Sequence, residues 1–192
     1  MGNSVCLSGY ERQLSSVKTI IAETNSRIIS DPPDPLFLNN TNFFVKSYLV
    51  IICSYLEAYL QDCAFEYAEL LTRRIDSARA PKNFIYWRVL QDKFSPDNND
   101  FGTIDLLVKK EDISEIISPN PHKTLKLFNR LGVNLMEVEG FRNHKSIVGS
   151  VVSKRNNIVH HNDQASDITM LDLLSYIDVF LIYIKEIDSR LF

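Results

Sequence analysis

Residues 41–77 restrict the fold more than any other stretch of the chain, because they include neither glycine nor proline. One set of apolar side chains recurs along them at helical spacing, namely Val45, Leu49, Ile52, Leu56, Leu60 and Cys63. Aromatic residues occupy much of the remaining surface, so the segment is apolar on several sides. This pattern predicts one long helix, capped by Asn40 or Thr41, at the centre of a helical bundle.

Three further segments have helical periodicity. Residues 10–29 predict a first helix, which a proline-rich turn ends. Residues 143–160 and 169–191 predict the last two helices, and Thr169 with Asp172 resembles a capping box. The expected fold is therefore all-α, a bundle of four to five core helices.

Residues 78–140 are harder to interpret, because prolines and glycines interrupt them. Short helices are predicted near residues 83–92, 110–117 and 121–131, with an exposed turn at 97–100. We interpret this middle segment as an elaboration of short extra helices, inserted between the long second helix and the penultimate helix.

The composition indicates a single domain over residues 1–192. The hydrophobic share is 45% and the charged share 23%, which provides for a buried core and argues against a wholly disordered chain. The formal net charge is -3, so any surface that binds nucleic acid must be local.

The three cysteines, Cys6, Cys53 and Cys63, do not have the spacing of a metal site. We expect them to be reduced thiols, as is typical of a cytoplasmic protein. The sequence has no recognisable signal peptide, and its strongest apolar run is too short for a bilayer. We therefore expect a cytoplasmic protein without a metal, a cofactor or a membrane segment.

Position 155 breaks the pattern of the penultimate helix. Apolar residues at helical spacing lie on both sides of it: Ile147, Val148, Val151, Val152, Ile158 and Val159. Arg155 stands where an aliphatic side chain is expected, and a buried arginine costs stability unless it is paired or faces a wet cleft. Such local exceptions are typical of functional sites.

The sequence around Arg155 is basic. Residues 141–162 contain no acidic residue, although the whole chain has 24. Three of the chain's four histidines fall there, together with the further cations Arg142, Lys145 and Lys154. A positive helix end that carries histidines suits a phosphate-bearing partner.

Glu57 is a second exception, because it interrupts the apolar run of the long helix. A buried carboxylate needs a cation or a hydrogen-bond donor, and Arg155 is the natural partner. Such a pair could simply hold two helices together, and His160 and His161 could be caps that favour the dipole at a helix C-terminus. The pair could equally orient Arg155 toward a phosphate.

The segment from Arg155 to His160, RNNIVH, resembles the Arg-Asn-x-x-x-His motif of HEPN domains. Its position is similar too, at the end of a penultimate helix, before a polar link and a long last helix. With the acid Glu57 in the apolar helix, the pattern is closest to RiboL-PSP-HEPN and related bacterial HEPN groups. The resemblance covers the long helix and the last two helices, and His161 departs from it, since the family often has a small residue there.

The resemblance implies a helical bundle that is usually a homodimer, with the motif facing a cleft between subunits. Many members are ribonucleases in defence systems, toxin–antitoxin pairs or RNA processing, and others are non-catalytic. RNA is therefore the expected partner. An antitoxin or a nucleotidyltransferase is a candidate for a further one.

On this basis we predict a metal-independent endoribonuclease that uses the 2′-hydroxyl of the RNA as its nucleophile. The predicted site residues form three groups: catalytic Arg155, Asn156 and His160; auxiliary Glu57 and His161; RNA-binding Arg142, Lys145 and Lys154. Two alternatives stay open. One is a non-catalytic HEPN module that binds RNA, nucleotide or a partner protein, and the other is a purely structural helical dimer.

Overall fold

The structure is a computed structural model that describes residues 3–85, 88, 102, 106–161, 165 and 167–192. Its helices are α1 (Leu7–Ile28), α2 (Pro35–Asn39), α3 (Thr41–Ser77), α4 (Lys82–Ile85), α5 (Lys110–Ser114), α6 (Pro121–Arg130), α7 (Glu139–His161) and α8 (Met170–Leu191). A 3₁₀ turn, Leu135–Glu137, precedes α7. Within the described ranges there is no β-strand, and the predicted all-α class is confirmed.

Four long helices, α1, α3, α7 and α8, pack against one another and form the centre of the protein. Both α3 and α8 contact each of the other three. Their apolar faces join those of α5 and α6 in one buried cluster. This bundle agrees with the four to five core helices expected from the sequence.

The long helix α3 spans 37 residues and begins and ends where the sequence predicts. Its residues Leu49, Ile52, Leu56 and Leu60 are completely buried. By length and composition alone, α3 is the one described helix that could cross a membrane, and 44% of its most apolar stretch is buried. The core helix of a soluble protein passes the same test, and α3 packs against three other helices as a core helix does.

The last helix, α8, begins with the predicted capping box. Thr169 Oγ1 accepts a hydrogen bond from the backbone N–H of Asp172 at 3.1 Å, and Asp172 Oδ2 accepts one from the Thr169 N–H at 2.8 Å. These bonds satisfy N–H groups that have no partner inside the helix. The hydrogen bonds with Thr169 lower the pKa of Asp172, whose negative charge also favours a helix N-terminus.

The start of α7 differs from the prediction. The helix begins at Glu139, whereas the sequence predicted a start near residue 143. Gly140 lies in the first turn for a packing reason, because a Cβ atom there would come within 2.3 Å of Glu186 Cγ on α8. The absence of a side chain permits the close approach of the two helices.

The middle segment is helical where it is described. α6 covers the predicted range 121–131 except for its last residue. α5 covers the first part of the predicted range 110–117. α4 covers the start of the range 83–92, whose remainder lies mostly outside the described residues, as does the predicted turn at 97–100. Helix α2 was not predicted, because prolines precede it; Asp34 caps it by accepting the Leu36 N–H at 3.0 Å.

A buried carboxylate, Asp188 of α8, joins three parts of the bundle. It accepts hydrogen bonds from the Ser4 backbone N–H at 2.9 Å, from the Ser4 hydroxyl, and from the Tyr59 hydroxyl at 3.2 Å. Asp188 is 0% exposed, so these donors replace the water that its oxygens would otherwise bind. The cluster fixes the chain before α1 against α3 and α8.

Candidate functional site

Arg155 and Glu57 form the predicted ion pair between α7 and α3. Arg155 Nη2 lies 2.7 Å from Glu57 Oε2, although the two residues are 98 positions apart in the sequence. The side chain of Arg155 is 16% exposed and that of Glu57 is 33% exposed. The charges are therefore partly desolvated, and each supplies the counter-charge that the other needs.

On the side that faces the core, the surroundings of the Arg155–Glu57 pair are buried. Cys53 lies one helical turn before Glu57 and is completely buried. Burial raises the pKa of the Cys53 thiol to about 12, even though the nearby charge of Arg155 acts in the opposite direction. Arg155 Nε is also buried and has no hydrogen-bond acceptor among the described residues. The guanidinium is thus held by one carboxylate and is not saturated with partners.

The apolar stripe of α7 is buried along only part of its length. Val148, Val151 and Val152 are buried as predicted, but Ile147 is 37% exposed and Val159 is 51% exposed. The prediction of a continuous buried stripe was therefore wrong at both of its ends. The C-terminal turn of α7 is only partly buried: Ile158 packs against the core, whereas Val159 and His160 are exposed.

Asn156 and His160 lie on a common face of α7. They are four residues apart, which corresponds to a rotation of about 40° around an α-helix. Asn156 is half-buried and His160 is exposed. Arg155 and His160 are five residues apart, a rotation of about 140°, so the two side chains leave the helix in different directions. Within one chain, the motif therefore has an arginine side and a histidine side.

The imidazole of His160 makes no hydrogen bond to any residue in the described part of the chain. His161 is the last residue of α7, and its side chain lies outside the described residues. His144, on an earlier turn, is occupied locally, since its Nδ1 is 2.8 Å from the Gly140 carbonyl oxygen.

The three predicted RNA-binding cations have different surroundings. Lys154 forms an ion pair with Asp167, which lowers the pKa of that carboxyl group. Arg142 donates to the Met136 carbonyl oxygen at 3.4 Å, and Lys145 Nζ lies 3.5 Å from Met136 Sδ. Arg142 and Lys145 therefore lie close together near the start of α7, whereas the charge of Lys154 already has a partner.

An open groove lies between α6 and α7, on the histidine side of the motif helix. Sequence reasoning missed this feature and its residue His122. The Asn120-Pro121 pair marks the start of α6, where Asn120 Oδ1 accepts the His122 N–H at 2.9 Å. No signal in the sequence indicates that α6 packs beside α7, because this contact joins distant parts of the chain.

None of the described residues forms a cluster of three or more His, Cys, Asp or Glu side chains that could hold a metal ion. The candidate site instead consists of a paired guanidinium, an amide and an imidazole on one helix end. These groups can bind an anion, orient it and exchange protons. They define a helical-bundle protein with a candidate site for an anionic ligand.

The family model of RiboL-PSP-HEPN matches residues 8–191. The chain therefore belongs to the RiboL-PSP-HEPN family, and so to the HEPN superfamily. The match includes the middle segment 78–140, for which the sequence motifs gave no counterpart. No curated protein and no solved structure matches the chain.

A double-mutant cycle measures the strength of the Arg155–Glu57 pair. We expect Glu57→Ala and Arg155→Ala to show a coupling of about 1–2 kcal/mol in urea unfolding, because both side chains are largely removed from water. The matched control is the exposed pair Arg190–Glu137, at 3.0 Å with side chains 51% and 61% exposed. Its coupling should be about 0.5 kcal/mol or less. Equal couplings for both pairs would contradict a special role for the α3–α7 pair.

Proposed function

We propose that this protein is a metal-independent endoribonuclease of the HEPN type. The observation that supports this most strongly is the partly buried Arg155, anchored by Glu57 and followed on the same helix end by Asn156 and the exposed His160. Membership of the RiboL-PSP-HEPN family favours RNA as the substrate. The reaction takes place through attack of a 2′-hydroxyl on the adjacent phosphorus.

Arg155 stabilises charge on the phosphate. Its pairing with Glu57 fixes the guanidinium before RNA arrives, so less conformational freedom is lost on binding. The N–H groups of its guanidinium that Glu57 does not occupy and that reach the surface are donors for phosphate oxygens, whose negative charge grows as the pentacovalent state forms. Glu57 is thus a positioning residue, which acts through Arg155.

His160 exchanges the protons. One imidazole takes the proton of the 2′-hydroxyl while O2′ bonds to phosphorus, and the bond from phosphorus to O5′ breaks. An imidazolium gives its proton to the departing O5′. The products are a 2′,3′-cyclic phosphate and a 5′-hydroxyl. Asn156, one turn before His160 on the same face, orients the imidazole or the phosphate.

The acid and the base must lie on opposite sides of the phosphate, which favours a homodimer. Each chain has a single His160, and this side chain leaves α7 in a direction about 140° from that of Arg155. A two-fold axis beside the motif would bring the His160 of a second chain to the same phosphate, where it supplies the second imidazole. Exposed apolar side chains on the two helices that carry the ion pair, Ile51 of α3 and Ile147 and Val159 of α7, are available for the contact.

The setting of this activity is also part of the proposal. We place the enzyme in the cytoplasm, in a defence, toxin–antitoxin or RNA-processing role. An antitoxin or a nucleotidyltransferase is the candidate partner that would restrain it. Purification of the protein with its genomic neighbours and analysis of the mass of the complex would test this assignment.

Alanine substitutions test the assigned residues. In a buffer with EDTA, Arg155→Ala and His160→Ala should lower the rate of RNA cleavage by at least about a hundredfold, because each removes a group that acts in the transition state. Glu57→Gln should lower it less, since Arg155 remains. His161→Ala should also have the smaller effect; an inactive His161→Ala beside an active His160→Ala would move the assignment by one residue.

The control is His144→Ala, which removes a histidine whose Nδ1 bonds within its own helix. It should cleave RNA at the wild-type rate. Wild-type protein that binds RNA without cutting it would instead indicate a non-catalytic binding module. Loss of stability in Arg155→Ala, with no effect on RNA, would indicate a structural role.

Mixing subunits tests the shared site. Light scattering should give the mass of a dimer, and equal amounts of wild-type and His160→Ala chains, refolded together, should retain about one quarter of the activity. The reason is that about one quarter of randomly formed dimers contain two intact chains. A loss of only half, or a monomer that cleaves at the full rate, would contradict the shared cleft.

A further inference from the structure

A groove of about 740 Å³ runs between α6 and α7. Its α6 wall consists of Asn120, Pro121, His122 and Leu125. Its α7 wall consists of Lys145, Ser146, Gly149, Ser150 and Ser153. One wall therefore comes from the middle segment of the chain, and the other is the helix that carries the motif.

The groove has the chemical character of a site for a single nucleic-acid strand. None of the described residues that line it is acidic, although the whole chain has 24 acidic residues. Lys145 offers a cation for a phosphate, and serine hydroxyls offer further polar contacts. His122 and Leu125 offer an aromatic ring and an apolar surface against which a base can stack.

The groove and His160 lie on the same face of α7. Lys145, Gly149 and Ser153 follow one another at intervals of four residues, and Asn156 and His160 continue the series at intervals of three and four. Such intervals keep residues on one face of an α-helix. From Ser153 to His160 the helix rises about 10 Å, which is roughly the length of three stacked nucleotides.

We propose that this groove binds the RNA strand beside the cleavage position, two to three nucleotides from the phosphate that is cut. The inference rests on the proposed ribonuclease function and adds a subsite to it. The groove contributes affinity for the strand, so that RNA long enough to reach it is cut at a lower KM than a dinucleotide. His122, Lys145 and Ser153 touch nucleotides that do not react.

Gly149 gives a way to close the groove without breaking the fold. A Cβ atom at this position would meet only the Pro121 ring, at 3.8 Å, which is an ordinary van der Waals contact. Gly149→Ala is therefore tolerated, and it replaces a glycine in a helix interior. The larger side chain of Gly149→Leu extends into the space that the strand would occupy.

The test compares a dinucleotide with a single-stranded RNA of eight nucleotides. For the longer RNA, Gly149→Leu should raise KM roughly tenfold, because at least one stacked base loses its place. Lys145→Gln should raise KM less and should reduce the slope of log affinity against log salt by about 1. For the dinucleotide, which cannot span the distance, kcat/KM should be the same in both variants and the wild type.

Two further variants accompany these. Gly149→Ala adds only one methyl group to the groove and should raise KM for the longer RNA much less than Gly149→Leu does. Lys185→Ala, the control for loss of a cation, removes an exposed lysine of α8 that pairs with Glu11 and should leave KM unchanged. Thermal unfolding shows whether Gly149→Leu is folded. If Gly149→Leu does not fold, Lys145→Gln tests the subsite in its place. An unchanged KM for the longer RNA in folded Gly149→Leu and in Lys145→Gln would overturn the subsite.

Binding of an uncleavable strand separates the subsite from the catalytic proposal. The probe is a fluorescent 2′-O-methyl RNA of eight nucleotides, followed by anisotropy. If the wild type binds it, Gly149→Leu does not, and ordinary RNA stays intact, the groove is a binding site and the ribonuclease proposal fails. If all variants bind the probe equally, the groove proposal fails whether or not RNA is cut.

Discussion

The geometry of the candidate site depends on the partly buried ion pair between Glu57 and Arg155. Each residue is a charged side chain at a position where the apolar pattern of its helix predicts an aliphatic one. The ion pair offsets the cost of removing the two charges from water. The pair joins the central helix to the C-terminal part of α7, so that the guanidinium has a fixed direction. Val159 and His160, which follow on the same helix end, are exposed at the surface.

The bundle and the middle segment contribute differently to this site. α3 and α8 pack against α7, whose Val148, Val151 and Val152 are buried, while Gly140 allows α7 to approach α8 closely. α6 adds no residue to the core motif, but it forms the second wall of the groove that runs along α7 as far as Ser153. The segment that looks least regular in the sequence thus shapes the surface along which a strand would lie.

Local patterns explain what could be predicted. The absence of glycine and proline defines α3, and the Thr169–Asp172 box defines the start of α8. Arg155 interrupts the apolar stripe of α7, and this predicted an ion pair because a buried charge needs a partner. Other features depend on contacts between distant segments: the exposure of Val159, the pairing of Lys154 with Asp167, and the groove along α6. Helical periodicity does not predict these features, because it does not show which part of a helix lies outside the core or which distant segment packs beside it.

Identification of the ends of the cut RNA tests the roles of Arg155 and His160 most directly. RNA is incubated with the wild-type protein in EDTA, and the fragments are analysed by mass spectrometry. Attack by the 2′-hydroxyl predicts 2′,3′-cyclic phosphate on every upstream fragment and 5′-hydroxyl on every downstream fragment. Fragments with 3′-hydroxyl and 5′-phosphate ends, or cleavage that disappears in EDTA, would contradict the mechanism.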